Sequence, residues 1–107
     1  MNTTVLRLYM HEGRRLHGQL LYDWVLAQAA KLGIAGGSAF RAVAGYGRHG
    51  VLLEQRFFEL AGELPVVTEF ILSAAEAEQL LALLRGEAVD LFYVRWSAES
   101  GTTVSSV

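Results

Sequence analysis

A chain of 107 residues with 52% hydrophobic and 19% charged side chains builds one folded domain and has no room for a separate catalytic module. A formal charge of −2 with no lysine or arginine cluster gives no attraction to nucleic acid or anionic membrane, and the lack of cysteine removes disulfides, zinc knuckles and thiol nucleophiles. So apolar a composition in a domain with so much surface per volume points to apolar surface hidden by a partner subunit.

The chain opens on Val5-Leu6-Arg7-Leu8-Tyr9-Met10, whose alternation and β-propensity predict a strand. No secretory leader pattern precedes it, and no apolar run reaches the ~20 residues needed to span a bilayer, so the expected compartment is the cytosol and direct membrane insertion is not expected. A polar turn, His11-Glu12-Gly13-Arg14-Arg15, follows. From about Leu16 to Leu32 the residues Leu21, Val25, Ala29 and Leu32 recur at helical spacing, with Gly33 placed as a C-terminal cap. Gly36-Gly37 punctuates the chain before a second strand, roughly Ser38 to Tyr46.

The stretch from Arg48 to Glu63 forms an arm that fits a hairpin, an extra strand or a loop. It has no serine, threonine or tyrosine, and so no hydroxyl for regulation by phosphorylation or nucleotidylylation. Its Leu52, Leu53, Phe57 and Phe58 suit subunit packing more than a transient partner. Val66-Val67-Thr68-Glu69-Phe70-Ile71-Leu72 is the clearest strand, with Pro65 at its start where no ladder hydrogen bond is lost. Ser73-Ala74-Ala75-Glu76 has capping-box spacing and predicts a helix from Ser73 with Ala77, Leu80, Leu81 and Leu84 on its apolar face and Gly86 as its stop. A fourth strand, Leu91 to Trp96, closes a single domain over residues 1–96, and 97–107 reads as a flexible tail.

The order β-α-β-β-α-β predicts an α+β, ferredoxin-like domain: an antiparallel four-stranded sheet with both helices on one face. Alternation assigns Arg7, Arg41, Glu69 and Arg95 to the uncovered face, among Val5, Tyr9, Val43, Val67, Ile71 and Tyr93. That mixture suits a subunit interface in which Glu69 pairs with an arginine; the competing reading leaves the charges at strand ends in water.

The glycine-punctuated basic turn Ala44-Gly45-Tyr46-Gly47-Arg48-His49-Gly50 has two readings. Its glycines can turn backbone N–H groups into a nest for an anion, with Arg48 as a mobile cation, or they can serve a bent strand end. No catalytic constellation emerges. His11, His17 and His49 form no His-Glu-x-x-His pair, there is no nucleophile elbow, and the carboxylates carry no pairing signature, so neither catalytic nor metal-ligating residues are assigned.

The segments Leu6-Arg7-Leu8-Tyr9, Gly18-Gln19-Leu20-Leu21-Tyr22-Asp23, Phe40-Arg41-Ala42-Val43-Ala44-Gly45-Tyr46-Gly47 and Leu64-Pro65-Val66-Val67-Thr68-Glu69 resemble the bacterial and archaeal family catalogued as domain of unknown function 190, a PII-like family. The resemblance spans about Thr4 to Trp96. It implies a ferredoxin-like fold, a homotrimer with ligand sites in the clefts between subunits, an adenine nucleotide as effector with no cofactor required, and a loop after the second strand that contacts a regulated partner such as a membrane transporter. Gly45-Tyr46-Gly47-Arg48 resembles the base of the PII target-binding loop, so Gly45, Gly47, Arg48 and His49 inherit a ligand-binding role, with Arg41 and Arg95 as further cations. His49 stands where PII proteins have glutamine, and Arg85-Gly86-Glu87-Ala88-Val89-Asp90 replaces their glycine-aspartate-glycine-lysine loop. The alternatives to a ligand-sensing regulator are a small ferredoxin-like enzyme acting on an anionic metabolite and an effector-free interaction module.

Overall fold

The computed structural model describes residues 2–46, 53–54 and 64–104. In chain order they form β1 (Asn2–His11), β2 (Arg15–Leu16), β3 (Gln19–Leu20), α1 (Leu21–Lys31), β4 (Gly36–Arg41), β5 (Ala44–Gly45), β6 (Leu53–Glu54), β7 (Pro65–Leu72), α2 (Ala74–Gly86) and β8 (Phe92–Glu99). Four strands make one sheet in the order β4-β7-β1-β8, with every neighbouring pair antiparallel. β2 with β3 and β5 with β6 add two short ladders outside it. This is the expected α+β, ferredoxin-like architecture.

Side-chain alternation explains where the core sits. Leu6, Leu8 and Met10 of β1 and Val66, Phe70 and Leu72 of β7 fall on one face and are buried. Against them lie Leu21, Trp24, Val25 and Ala29 of α1 and Ala77, Leu80, Leu81 and Leu84 of α2, so both helices cover the same side. Each fully buried leucine or phenylalanine removed from water contributes about 1.5–3 kcal/mol.

Both helix boundaries follow from local chemistry. At Ser73 the side chain accepts from the Glu76 N–H at 3.1 Å while the Glu76 carboxylate accepts from the Ser73 N–H at 2.9 Å, the expected capping box. α1 stops as expected at Gly33, which has φ +83°. There Gly33 N–H donates to the Ala30 carbonyl and Ile34 N–H to the Ala29 carbonyl, and Ile34 is buried beyond them. The start of α1 differs from the expected Leu16. Residues 15–20 instead form the β2–β3 hairpin, whose two-residue turn has His17 at φ 52° and Gly18 at φ 80°, the signs a type I′ turn requires. Leu16, Leu20 and Leu21 mimic helical spacing, which hides the hairpin in the sequence.

Three other boundaries differ. β4 ends at Arg41, and Val43 lies beyond it, 72% exposed. β8 runs to Glu99, pairing Ser97, Ala98 and Glu99 with Thr4, Thr3 and Asn2 of β1, so the sheet extends into the expected tail. Gly86 is the last residue of α2 and does not cap it. Ala88 takes that position at φ 55°, with Ala88 N–H on the Arg85 carbonyl and Val89 N–H on the Leu84 carbonyl. Left-handed backbone costs an L-residue about 1–2 kcal/mol, so Ala88→Gly is expected to stabilise the fold by about 1 kcal/mol, read as a shifted denaturant midpoint with unchanged slope.

Gly37 answers a different need. It pairs with Phe70, and a Cβ built there meets the Phe70 ring at 2.6 and 2.7 Å and Leu26 at 3.3 Å. Phe70 is fully buried and cannot withdraw. Gly37→Ala is therefore expected to destabilise the fold by about 1–3 kcal/mol, while Gly36→Ala, which meets nothing within 4 Å, leaves the midpoint nearly unchanged.

Candidate functional site

On the face without helices, Arg7 and Glu69 are directly opposed across β1 and β7, and Arg7 Nε donates to Glu69 Oε2 at 2.6 Å. The expected arginine partner of Glu69 is thus in its own chain. Arg7 also lies over the Trp96 ring, 5.6 Å from its centroid, and Tyr9 packs on Phe92 at 5.6 Å between ring centroids. Glu69 first, and Tyr9 after it, hold the Arg7 guanidinium above its ordinary pKa, so it stays cationic. Around this pair the face exposes Phe40, Ile71, Phe92 and Trp96, at 54%, 46%, 70% and 44%. Four large hydrophobic side chains exposed on one face form the kind of patch that a partner covers.

Arg41, Arg95 and Tyr93 do not join that face, contrary to the alternation assumed from sequence. Arg95 is opposite Leu6 and Tyr93 opposite Leu8, both core-facing positions of β1, so these side chains lie on the helix side. Phe92, Val94 and Trp96 take the open side. Arg95 Nη1 reaches Glu78 Oε1 of α2 at 2.6 Å. Arg41 is opposite Val66, another core-facing position, and as the last residue of β4 it escapes the core to pair with Glu12. A single strand's pattern does not reveal which alternate set faces inward when a charged residue sits near the strand end. The register settles it.

Arg41 stands where the chain leaves the sheet for the arm. Ala42 N–H donates to the Pro65 carbonyl at 2.9 Å, and Glu12 N–H to the Leu64 carbonyl at 2.8 Å, so the start of the arm, the end of β1 and the start of β7 are tied together. Gly45 follows in β5, opposite Leu53 of β6. Its φ is not positive; the positive-φ glycines among the described residues are Gly18 and Gly33. At this residue the backbone is a short ladder. Gly47, Arg48 and His49 lie outside the described residues, as does most of the arm.

Beside this corner is a cavity of about 250 Å³ lined by Glu12, Tyr22, Ala39, Phe40, Arg41 and Val66. Glu12 was not singled out from the sequence, since it lies in a polar turn and carries no motif, whereas Tyr22 stands in one of the segments that carry the resemblance. A second cavity, about 160 Å³, lies between α2 and β8 and includes Arg85, Asp90 and Tyr93. Residues 14–17 contact the chain beside it. His17 Nε2 is 2.7 Å from Glu87 Oε2, and Arg14 Nη1 donates to the Asp90 carbonyl at 2.8 Å. The two candidate cations Arg41 and Arg95 sit on opposite border strands, β4 and β8. Three inter-strand steps separate those strands by about 14 Å, too far for both to hold one small anion within a single chain. Among the described residues no group of three or more His, Cys, Asp or Glu side chains is arranged to hold a metal ion, and no helix is long and apolar enough to cross a membrane.

The model of the DUF190 family, described as Uncharacterized ACR, matches residues 3–98. The chain belongs to the DUF190 family. A UPF0166 protein of Aquifex aeolicus (strain VF5) is 31% identical over 83 residues, 78% of this chain and 79% of that protein. A UPF0166 protein of Methanocaldococcus jannaschii is 33% identical over 67 residues, 63% of this chain and 61% of its own. Two structures of CPII from Thiomonas intermedia K12 superpose at TM-scores of 0.68 and 0.70 with 12% identity, over 95% of this chain and 91% of theirs. The first is CPII bound to ADP and bicarbonate; the second, described as a nitrogen regulatory PII-like protein, is bound to ADP, AMP and bicarbonate. At that identity the likeness is one of fold, and this DUF190 chain has the PII-like fold that its segments suggested.

Proposed function

We propose that this protein is a PII-like regulator that turns over no substrate, binds a small anionic effector in clefts between the subunits of a homotrimer, and controls a partner protein in the cytosol through the arm after β4. The effector class is an adenine nucleotide, the ligand named for CPII of the same fold. The observation that carries the reading is the cavity at the base of the arm, with Arg41 on its wall. A ligand seated there touches the residues from which the arm departs. To transmit a signal it must prefer one arrangement of the arm over another, since equal affinity for both moves no population.

The trimer and the site support each other. Arg41 and Arg95 are on opposite borders of one sheet, so both meet one ligand only if β8 of a neighbouring subunit approaches β4. The exposed Phe40, Ile71, Phe92 and Trp96 give such a neighbour an apolar surface to cover. The ligand set is then Gly45, Gly47, Arg48, His49 and Arg41 from one subunit and Arg95 from the next, and the regulated partner is a membrane transporter or another protein that the arm engages.

Two measurements test this. Light scattering on the eluting protein is expected to give three times the 11.7 kDa of one chain, and Phe40→Glu, on an exposed position, to lower that mass while the far-ultraviolet spectrum stays unchanged. A monomeric native chain refutes the intersubunit cleft. In calorimetry, ADP is expected to bind saturably without hydrolysis, and Arg48→Ala to weaken it about tenfold through loss of a charge-assisted hydrogen bond. Product formation on prolonged incubation refutes the non-catalytic reading in favour of the enzyme.

A further inference from the structure

Glu12 carries an unsatisfied requirement. Its side chain is 17% exposed, and one oxygen, Oε1, takes the Arg41 guanidinium. The other, Oε2, is buried with no hydrogen-bond partner among the described residues, although Glu12 lines the 250 Å³ cavity. A buried acceptor with no donor is costly, and more so when it is charged. Thr68 Oγ1 is also buried and unpartnered, but it faces the packed core and lines neither cavity. At Glu12 there is space for a donor to arrive.

The chemistry of that donor follows from the neighbours. Arg41 already balances the carboxylate charge, so a second cation is not required, and a phosphate brought against Oε2 meets acceptor against acceptor. What fits Oε2 is an uncharged O–H or N–H. Arg41 is 46% exposed and has further guanidinium N–H groups for an acceptor or anion beyond it. The cavity is smaller than the roughly 300–1,000 Å³ of sites that enclose a whole drug-sized ligand, so it holds one portion of a molecule whose anionic part extends past Arg41.

Resting on the nucleotide reading above, we infer that Glu12 is a specificity residue: its Oε2 accepts a hydrogen bond from a neutral donor of the ligand, a sugar hydroxyl or the exocyclic amine, while Arg41 holds the anionic portion. The site thereby selects a nucleotide over a bare phosphate. A pocket built to pair with a donor rejects the analogue that lacks it, because the buried acceptor is then left without a partner.

The test is calorimetry on the full chain with ADP, with 2′,3′-dideoxy-ADP, which lacks both sugar hydroxyls, and with purine riboside diphosphate, which lacks the exocyclic amine. The native protein is expected to bind one of the two analogues at least about tenfold more weakly than ADP. Glu12→Ala is expected to weaken ADP by about tenfold or more and to abolish that discrimination. Equal binding of all three nucleotides by the native protein overturns the inference even if no variant folds. So does discrimination that persists in Glu12→Ala. Those results leave nucleotide binding itself intact, whereas a native protein that binds none of the three overturns both.

Discussion

The pairing of β1 with β7, with Leu6 opposite Phe70 and Arg7 opposite Glu69, decides the side of the sheet on which every other strand residue falls. A slip of β1 by one residue against β7 would put Arg7 against the helices and Leu6, Leu8 and Met10 on the open face. Burial of those three leaves the register no freedom. The border strands then follow: Ala39 and Arg41 of β4 and Tyr93 and Arg95 of β8 share the helix side, and Phe40, Phe92 and Trp96 share the other. The same constraint dictates Gly37, because the strand that borders Phe70 must pass so close to its ring that no side chain fits between.

Features that arise from neighbouring residues were legible in the sequence. The Ser73–Glu76 box, the Gly33 stop, the strand after Pro65 and the apolar stripe of Ala77, Leu80, Leu81 and Leu84 each depend on a few positions along the chain, and each forms as read. Features decided by distant partners were not. Arg41 and Arg95 owe their orientation to Val66 and Leu6, which lie far along the chain. The β2–β3 hairpin shares apolar spacing with a helix start, and Ala88 adopts a conformation that its residue type disfavours because the end of α2 is closed by carbonyls of Arg85 and Leu84. Ser97 to Glu99 read as small and polar, and β1 supplies the pairing that orders them.

The candidate site divides along the same line. The glycine-rich turn and its arginine announce themselves by composition, and the segments around them carry the family. Glu12 carries no such mark. It enters because the end of β1, the start of α1 and the end of β4 converge on one cavity, and because among the described residues a carboxylate oxygen there has no hydrogen-bond partner. Arg41 links the two kinds of information: it belongs to the recognisable segment, and its ion pair with Glu12 connects that segment to a residue nothing in the turn foretells.

The six residues of β4, Gly36 to Arg41, are exposed throughout, and the strand forms a border of the sheet with no proline or lysine along it. Native sheets ordinarily guard such a margin with these residues, a bulge or a covering element. Among the described residues β4 pairs only with β7, so the amides and carbonyls of its outer edge are a template for extended backbone, a neighbouring copy or a stray unfolded chain. The time a freshly synthesised molecule spends alone thus becomes a hazard of its own, and crowding during production selects between orderly association and precipitation.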